Sequence, residues 1–184
     1  MYLGIESYKK KSYNARRKTF LVLIITPGAL MKTLELLRRV ELFKNLTEKE
    51  LAQVENICVE EQLQEGDFFS IEGESGKTLC IIKDGLMEVE ITTGERMPSK
   101  VLLHLGVGQV LGEMSLVDRG TRSATARAIK IPTNILVIQH NNFHKLCESN
   151  YRIGYVVMQN VAADLSFKLR HRSLSMQGRY NDDL

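Results

Sequence analysis

The sequence predicts a mainly β, α+β fold in which helices bracket a sandwich or barrel of short strands. Three observations carry that expectation. Apolar residues recur at helical spacing at Leu34, Leu37 and Val40, then at Leu51, Val54 and Ile57. After Val59 the pattern changes to short alternating or apolar runs separated by Gly, Asp and Ser, as strands joined by turns require. Helical spacing returns over residues 142–147 and again from Ile153 to about Arg172.

Within the first helical region, Thr47 with Glu50 three residues later is spaced for a capping box, which starts the second helix near Thr47. Runs 68–71, 78–83, 86–92, 101–105, 110–111, 125–128 and 134–138 read as strands. The final helix carries Met158, Val161, Ala162, Leu165 and Leu169 at spacings of three and four, the pattern of a heptad seam. Such a stripe suits either a homodimer through that helix, the favoured reading, or simple covering of the sandwich. The chain thus divides into a basic extension (1–31), a domain (32–172) and a tail (173–184).

The chain has 184 residues, enough for one domain with a real core, and its 43% hydrophobic and 26% charged content is ordinary for a soluble globule. Its net charge of +3 hides a basic N-terminal run and an acidic stretch over 41–95. The basic run suits nucleic acid or acidic lipid, or is a solvated tail. The apolar run 20–25 is cut by Thr26-Pro27-Gly28. That is too short for a signal core or a membrane span, and reads as a strand, a partner-binding segment or a surface anchor. No transmembrane segment is expected. Cys58, Cys80 and Cys147 are far apart with no CxxC, so reduced thiols and a cytoplasmic location are expected.

No nucleophile–base pair or Walker-type phosphate loop is present, which leaves catalysis without a basis. His104, His140, His144 and His171 do not form a convincing metal set, although His140 and His144 are spaced to share a helix face. No cofactor is expected. The informative stretch is Gly112-Glu113-Met114-Ser115-Leu116, followed by Arg122-Ser123-Ala124. A carboxylate accepts from a sugar hydroxyl, a guanidinium matches phosphate oxygens, and small residues let backbone N–H groups approach the anion. The alternative is a plain salt bridge between Glu113 and Arg122, which carries a desolvation cost without evident benefit.

The run 112–126 closely resembles the phosphate-binding cassette of cyclic nucleotide-binding domains, as found in catabolite activator proteins and the regulatory subunits of protein kinase A. Residues 36–43 and 46–51 resemble that family's entry helices, and Gly66-Asp67, Glu72-Gly73 and 81–85 its turn punctuation. The resemblance covers roughly residues 34–172. It implies an eight-stranded antiparallel β-roll, of jelly-roll type, with N-terminal helices and a long C-terminal helix. It also implies that Arg122 holds the exocyclic phosphate oxygens and Glu113 the ribose 2′-hydroxyl. The amides of Met114 to Leu116, with Ser123 and Ala124, would complete the cradle. Val89, Leu102 and Leu105 would flank the ribose and base, and Ser123 leans towards cAMP rather than cGMP. Two departures stand out. The positions that read adenine in the activator branch are Lys168 and Leu169 here, so Arg170 or Arg172 is a candidate to cap the purine. Residues 173–184 are too short and polar for a DNA-recognition helix, so no helix-turn-helix is expected and the output passes through the dimer surface, the basic N-terminal arm or a separate effector protein. The alternative function is a protein-interaction or oligomerisation module on the same fold, without nucleotide.

Overall fold

The computed structural model describes residues 31–92 and 99–181, with side chains as far as His171; the run 20–25, the basic N-terminal run and the side chain of Arg172 lie outside the described residues. Helix α1 (Thr33–Arg39), a 3-10 turn (Glu41–Phe43) and α2 (Glu48–Glu55) come first. The strands are β1 (Cys58–Leu63), β2 (Phe68–Ser70), β3 (Thr78–Asp84), β4 (Met87–Ile91), β5 (Lys100–Leu105) and β6 (Val110–Leu111). Then follow the short helix α3 (Met114–Asp118), β7 (Thr125–Ala128), β8 (Thr133–Gln139), α4 (His140–Ser149) and α5 (Tyr151–Asn181). The strands among the described residues form two four-stranded antiparallel sheets, ordered β1-β8-β3-β6 and β2-β7-β4-β5. This is the expected β-roll with flanking helices.

Strands β3 and β8 read as unbroken apolar runs because both their faces are covered. Leu79, Ile81, Leu136 and Ile138 face a core shared with the helices, where Leu36, Phe43 and Val157 are also buried. Cys80, Ile82, Ile135 and Val137 face the interior between the sheets, with Met87 and Ala126 opposite. Burial raises the Cys80 thiol strongly and pushes the Cys58 thiol up to about 12, so both stay protonated.

Two elements depart from the sequence reading. Strand β1, Cys-Val-Glu-Glu-Gln-Leu, is not among the runs that the sequence pattern marks as strands. It lies at a sheet edge, paired with β8 from Cys58↔Ile138 to Leu63↔Thr133. Its Glu60 accepts from Thr33 Oγ1 at 3.0 Å and from the buried ammonium of Lys83, so the acid is an ion-pair partner rather than a loop signal. Helix α5 continues to Asn181, past the expected end at Arg172, and takes up most of the expected tail. The apolar periodicity fades there, but Leu174, Met176, Gln177 and Arg179 favour helix and no proline interrupts.

The expected seam on α5 is largely spent within the chain. Val161 is buried, and Met158 and Leu165 pack against the helical core, whereas Ala162 is exposed and Leu169 is 67% exposed. The same helix is also fastened to α2. Thr47 Oγ1 accepts from Glu50 N–H at 3.4 Å and Thr47 N–H donates to Glu50 Oε2 at 2.7 Å, which closes the expected capping box. Glu50 also accepts from Arg152 of α5, whose Nη2 donates to the Asn45 carbonyl at 3.1 Å.

The hydrogen bond from Arg152, opposed by burial and aided by Thr47, holds the Glu50 carboxyl below its ordinary value. A folded-state pKa below the unfolded one stabilises the fold above the ordinary carboxylate range, and that contribution is lost as pH falls through the lowered value. Arg152→Ala should therefore lower the melting temperature at pH 7, and the gap to the parent should narrow towards pH 3. Melting curves across that range check both parts.

Candidate functional site

Strand β6 ends at Leu111, and the chain turns through Gly112 at φ 87° into α3. Only glycine takes this conformation cheaply, and here it has a second duty. A Cβ at Gly112 would lie 2.2 Å from Arg122 Nη1 and 2.6 Å from the Thr78 carbonyl oxygen. The missing side chain is what lets the guanidinium lie against this backbone.

Arg122 is 9% exposed, so the cation points inward. Its Nη2 donates to the Thr78 carbonyl at 2.8 Å and to Thr78 Oγ1 at 2.7 Å, and its guanidinium carbon stands 5.0 Å from the Phe69 ring centroid. The backbone beneath is pinned as well. Arg122 N–H donates to Glu74 O at 2.7 Å and its carbonyl accepts from Gly73 N–H at 2.9 Å. These bonds fix the end of the cassette to the β2–β3 turn. Beside Arg122 lies a cavity of about 460 Å³, lined also by Phe69, Ser70, Ser75, Lys77, Thr78 and Gln139.

Glu113 opens α3, and its carboxylate is 15% exposed. It does not meet Arg122 in a plain salt bridge. Instead its Oε1 accepts from Lys168 Nζ of α5 at 2.9 Å, and the same ammonium lies 2.7 Å from Asp164 Oδ2. Burial alone would lower the Lys168 pKa, but its hydrogen bonds to Asp164 and Glu113 outweigh it and hold the group above the ordinary lysine value. The ammonium is therefore charged at any physiological pH.

The other expected residues divide. Ser115 is buried and donates from Oγ to the Gly112 carbonyl at 3.0 Å, which stiffens the turn. Leu116 packs against the helical core, Ala124 against the inter-sheet core, and Met114 and Ser123 are exposed. Val89 and Leu105 are buried in the inter-sheet core, and Leu102 is 48% exposed on β5. None of these three, nor Glu113, lines the cavity beside Arg122. Arg170 is exposed, and the long cation of α5 that reaches the cassette is Lys168. The sequence marked Lys168 only as a departure at a base-reading position; its helical i,i+4 spacing from Asp164 was the available signal. Nothing in the sequence singled out Thr78.

The histidines do not converge. His104 Nε2 lies 3.4 Å from Glu88 and His144 Nδ1 lies 3.4 Å from Glu148. Among the described residues no group of three His, Cys, Asp or Glu side chains is placed to hold a metal. His140 sits near Arg122, and burial followed by that neighbouring charge lowers its pKa, which keeps the ring neutral at pH 7.

Comparison with known proteins bears on this geometry. Residues 60–150 match the family model described as "Cyclic nucleotide-binding domain". The chain is 30% identical over 129 residues to mouse cGMP-dependent protein kinase 2, an alignment covering 67% of this chain and 17% of the kinase. It is 31% identical over 105 residues to the cyclic AMP receptor protein of Thermus thermophilus, covering 57% of this chain and 46% of that protein. The chain thus spans less than half the length of either relative. A solved cyclic nucleotide-binding domain from Methylobacillus flagellatus shares the fold at TM-score 0.68 and 21% identity, covering 80% of this chain and 82% of that one.

Because the guanidinium fills the space over Gly112, Gly112→Ala should cost about 1–3 kcal/mol from backbone strain and displacement of Arg122. Chemical denaturation of the full chain measures that loss. A variant as stable as the parent would show that Arg122 relocates freely.

Proposed function

The chain belongs, through residues 60–150, to the cyclic nucleotide-binding domain family, and from that premise we propose that it is a non-catalytic regulatory module that binds a cyclic mononucleotide at its 112–124 cassette. The observation that carries the reading is the inward-facing cation of Arg122, 9% exposed beside a cavity and against the open backbone of Gly112. A buried guanidinium is an expensive group to keep for packing alone, and it suits the single negative charge of a cyclised phosphodiester. Arg122 takes the exocyclic phosphate oxygens and Glu113 the ribose 2′-hydroxyl. The amides of Met114 to Leu116, with Ser123 and Ala124, complete the cradle.

cAMP is the favoured ligand. Ser123 supports it, as does likeness to the Thermus thermophilus protein, whereas likeness to the cGMP-dependent kinase weighs for cGMP. The signal leaves through α5, whose Lys168 touches the sugar-binding carboxylate. Phe167 of α5, 56% exposed, offers apolar surface for a homodimer or an effector protein, as do Tyr151 and Tyr155 nearer the helix start. One observation favours a second reading, an interaction module without nucleotide: Arg122 and Glu113 already hold partners within the chain, in Thr78 and Lys168.

A melting screen with cAMP and cGMP separates the readings. Ligand at 100 times its dissociation constant should add about 2.7 kcal/mol of stability, and no shift with either ligand would favour the second reading. Arg122→Leu should weaken binding by about 3–5 kcal/mol, two to four decades in Kd, as measured by calorimetry. Glu113→Gln keeps a neutral acceptor and should cost only about 1–2 kcal/mol. A 2′-deoxy analogue that bound the parent as tightly as cAMP would contradict the role of Glu113.

A further inference from the structure

The geometry points to Lys168 as a built-in competitor for the sugar subsite: its ammonium occupies the Glu113 carboxylate, and a ligand must take that carboxylate from it. This deepens the proposed function and rests on it, since it assumes that Glu113 receives a ribose hydroxyl. The contact joins elements far apart in the chain, α3 through Glu113 and α5 through Lys168, at 2.9 Å. Asp164, one turn earlier on α5, holds the same ammonium at 2.7 Å, so Lys168 has a resting place once Glu113 is taken. Only 15% of the Glu113 side chain is exposed, and the ammonium stands on Oε1, so a sugar hydroxyl that approaches this carboxylate meets Lys168 there. Entry of the ligand therefore moves the ammonium off Glu113 and loosens α5 from the cassette.

The attachment is arranged to be released locally. The same helix is anchored deep in the core about two and three turns earlier, through Val161 and Val157, both fully buried. Around Lys168 the helix is largely exposed, Phe167 at 56%. Losing one half-exposed ion pair changes the end of the helix without unfolding its base.

The test uses the full chain and two readouts. In calorimetry with cAMP and cGMP, Lys168→Ala should bind roughly two- to fivefold more tightly than the parent, because a competing ion pair of ordinary strength is gone. In acylation footprinting read by mass spectrometry, saturating nucleotide should raise the reactivity of Lys168, which loses one of its two carboxylate partners, by up to about twofold while exposed Lys49 stays unchanged. Tighter binding by the variant together with nucleotide-induced exposure of Lys168 supports the inference. Unchanged or weaker binding by the variant, or protection of Lys168 by nucleotide, overturns it, since Lys168 would then be a bystander or a ligand contact. Failure of the parent to bind either nucleotide overturns the proposed function itself, a distinct outcome.

Discussion

A buried guanidinium sets the terms for everything around it. Arg122 is 9% exposed, and a charge that deep is tolerated only with hydrogen bonds and close neighbours. Thr78 supplies a carbonyl and a hydroxyl, Phe69 supplies a ring face, and Gly112 supplies the space. Each comes from a different strand or turn, so the two sheets must close in this register before the cation has a place. Conversely, the backbone of Arg122 stitches the cassette to the β2–β3 turn through Gly73 and Glu74. Fold and site are one constraint seen from two ends.

Much of the architecture is legible in the sequence because its main signals are local. The capping box at Thr47 and Glu50 is a three-residue spacing, and the apolar runs of β3 and β8 announce strands covered on both faces. Strand β1 was invisible for the opposite reason. Its Glu60 is explained only by Lys83, a partner on another strand, and no local pattern reports such a pairing. Helix α5 outlasted its apolar stripe because periodicity reports packing, whereas helix propensity alone is enough to continue a backbone already in helical form.

The site was legible in part, and again locality divides the cases. Glycine, glutamate and arginine of the cassette lie within one short stretch, and their residue types already state a chemistry. The neighbours that decide how those groups are held come from elsewhere: Thr78 from β3 and Lys168 from α5. Val89 and Leu105 carry a weaker signal. Both are apolar at positions the resemblance assigns to a ligand, and both are buried in the inter-sheet core, as an apolar residue is wherever burial is available.

Helix α5 is the element through which these constraints meet. Near its start Arg152 reaches the buried Glu50 of α2; in the middle Val157 and Val161 fill the helical core; further on Lys168 reaches Glu113. These attachments are unequal. The second is worth most, through burial, whereas the first and third are ion pairs with a half-exposed cation and are worth far less. A small molecule that competes for Glu113 has only that third attachment to overcome. By linkage, a partner that bound better to a released end of α5 would in turn favour the molecule that released it, by the same free energy. The fold thus separates the burial that holds the domain together from the exposed contact on which the proposed ligand would act.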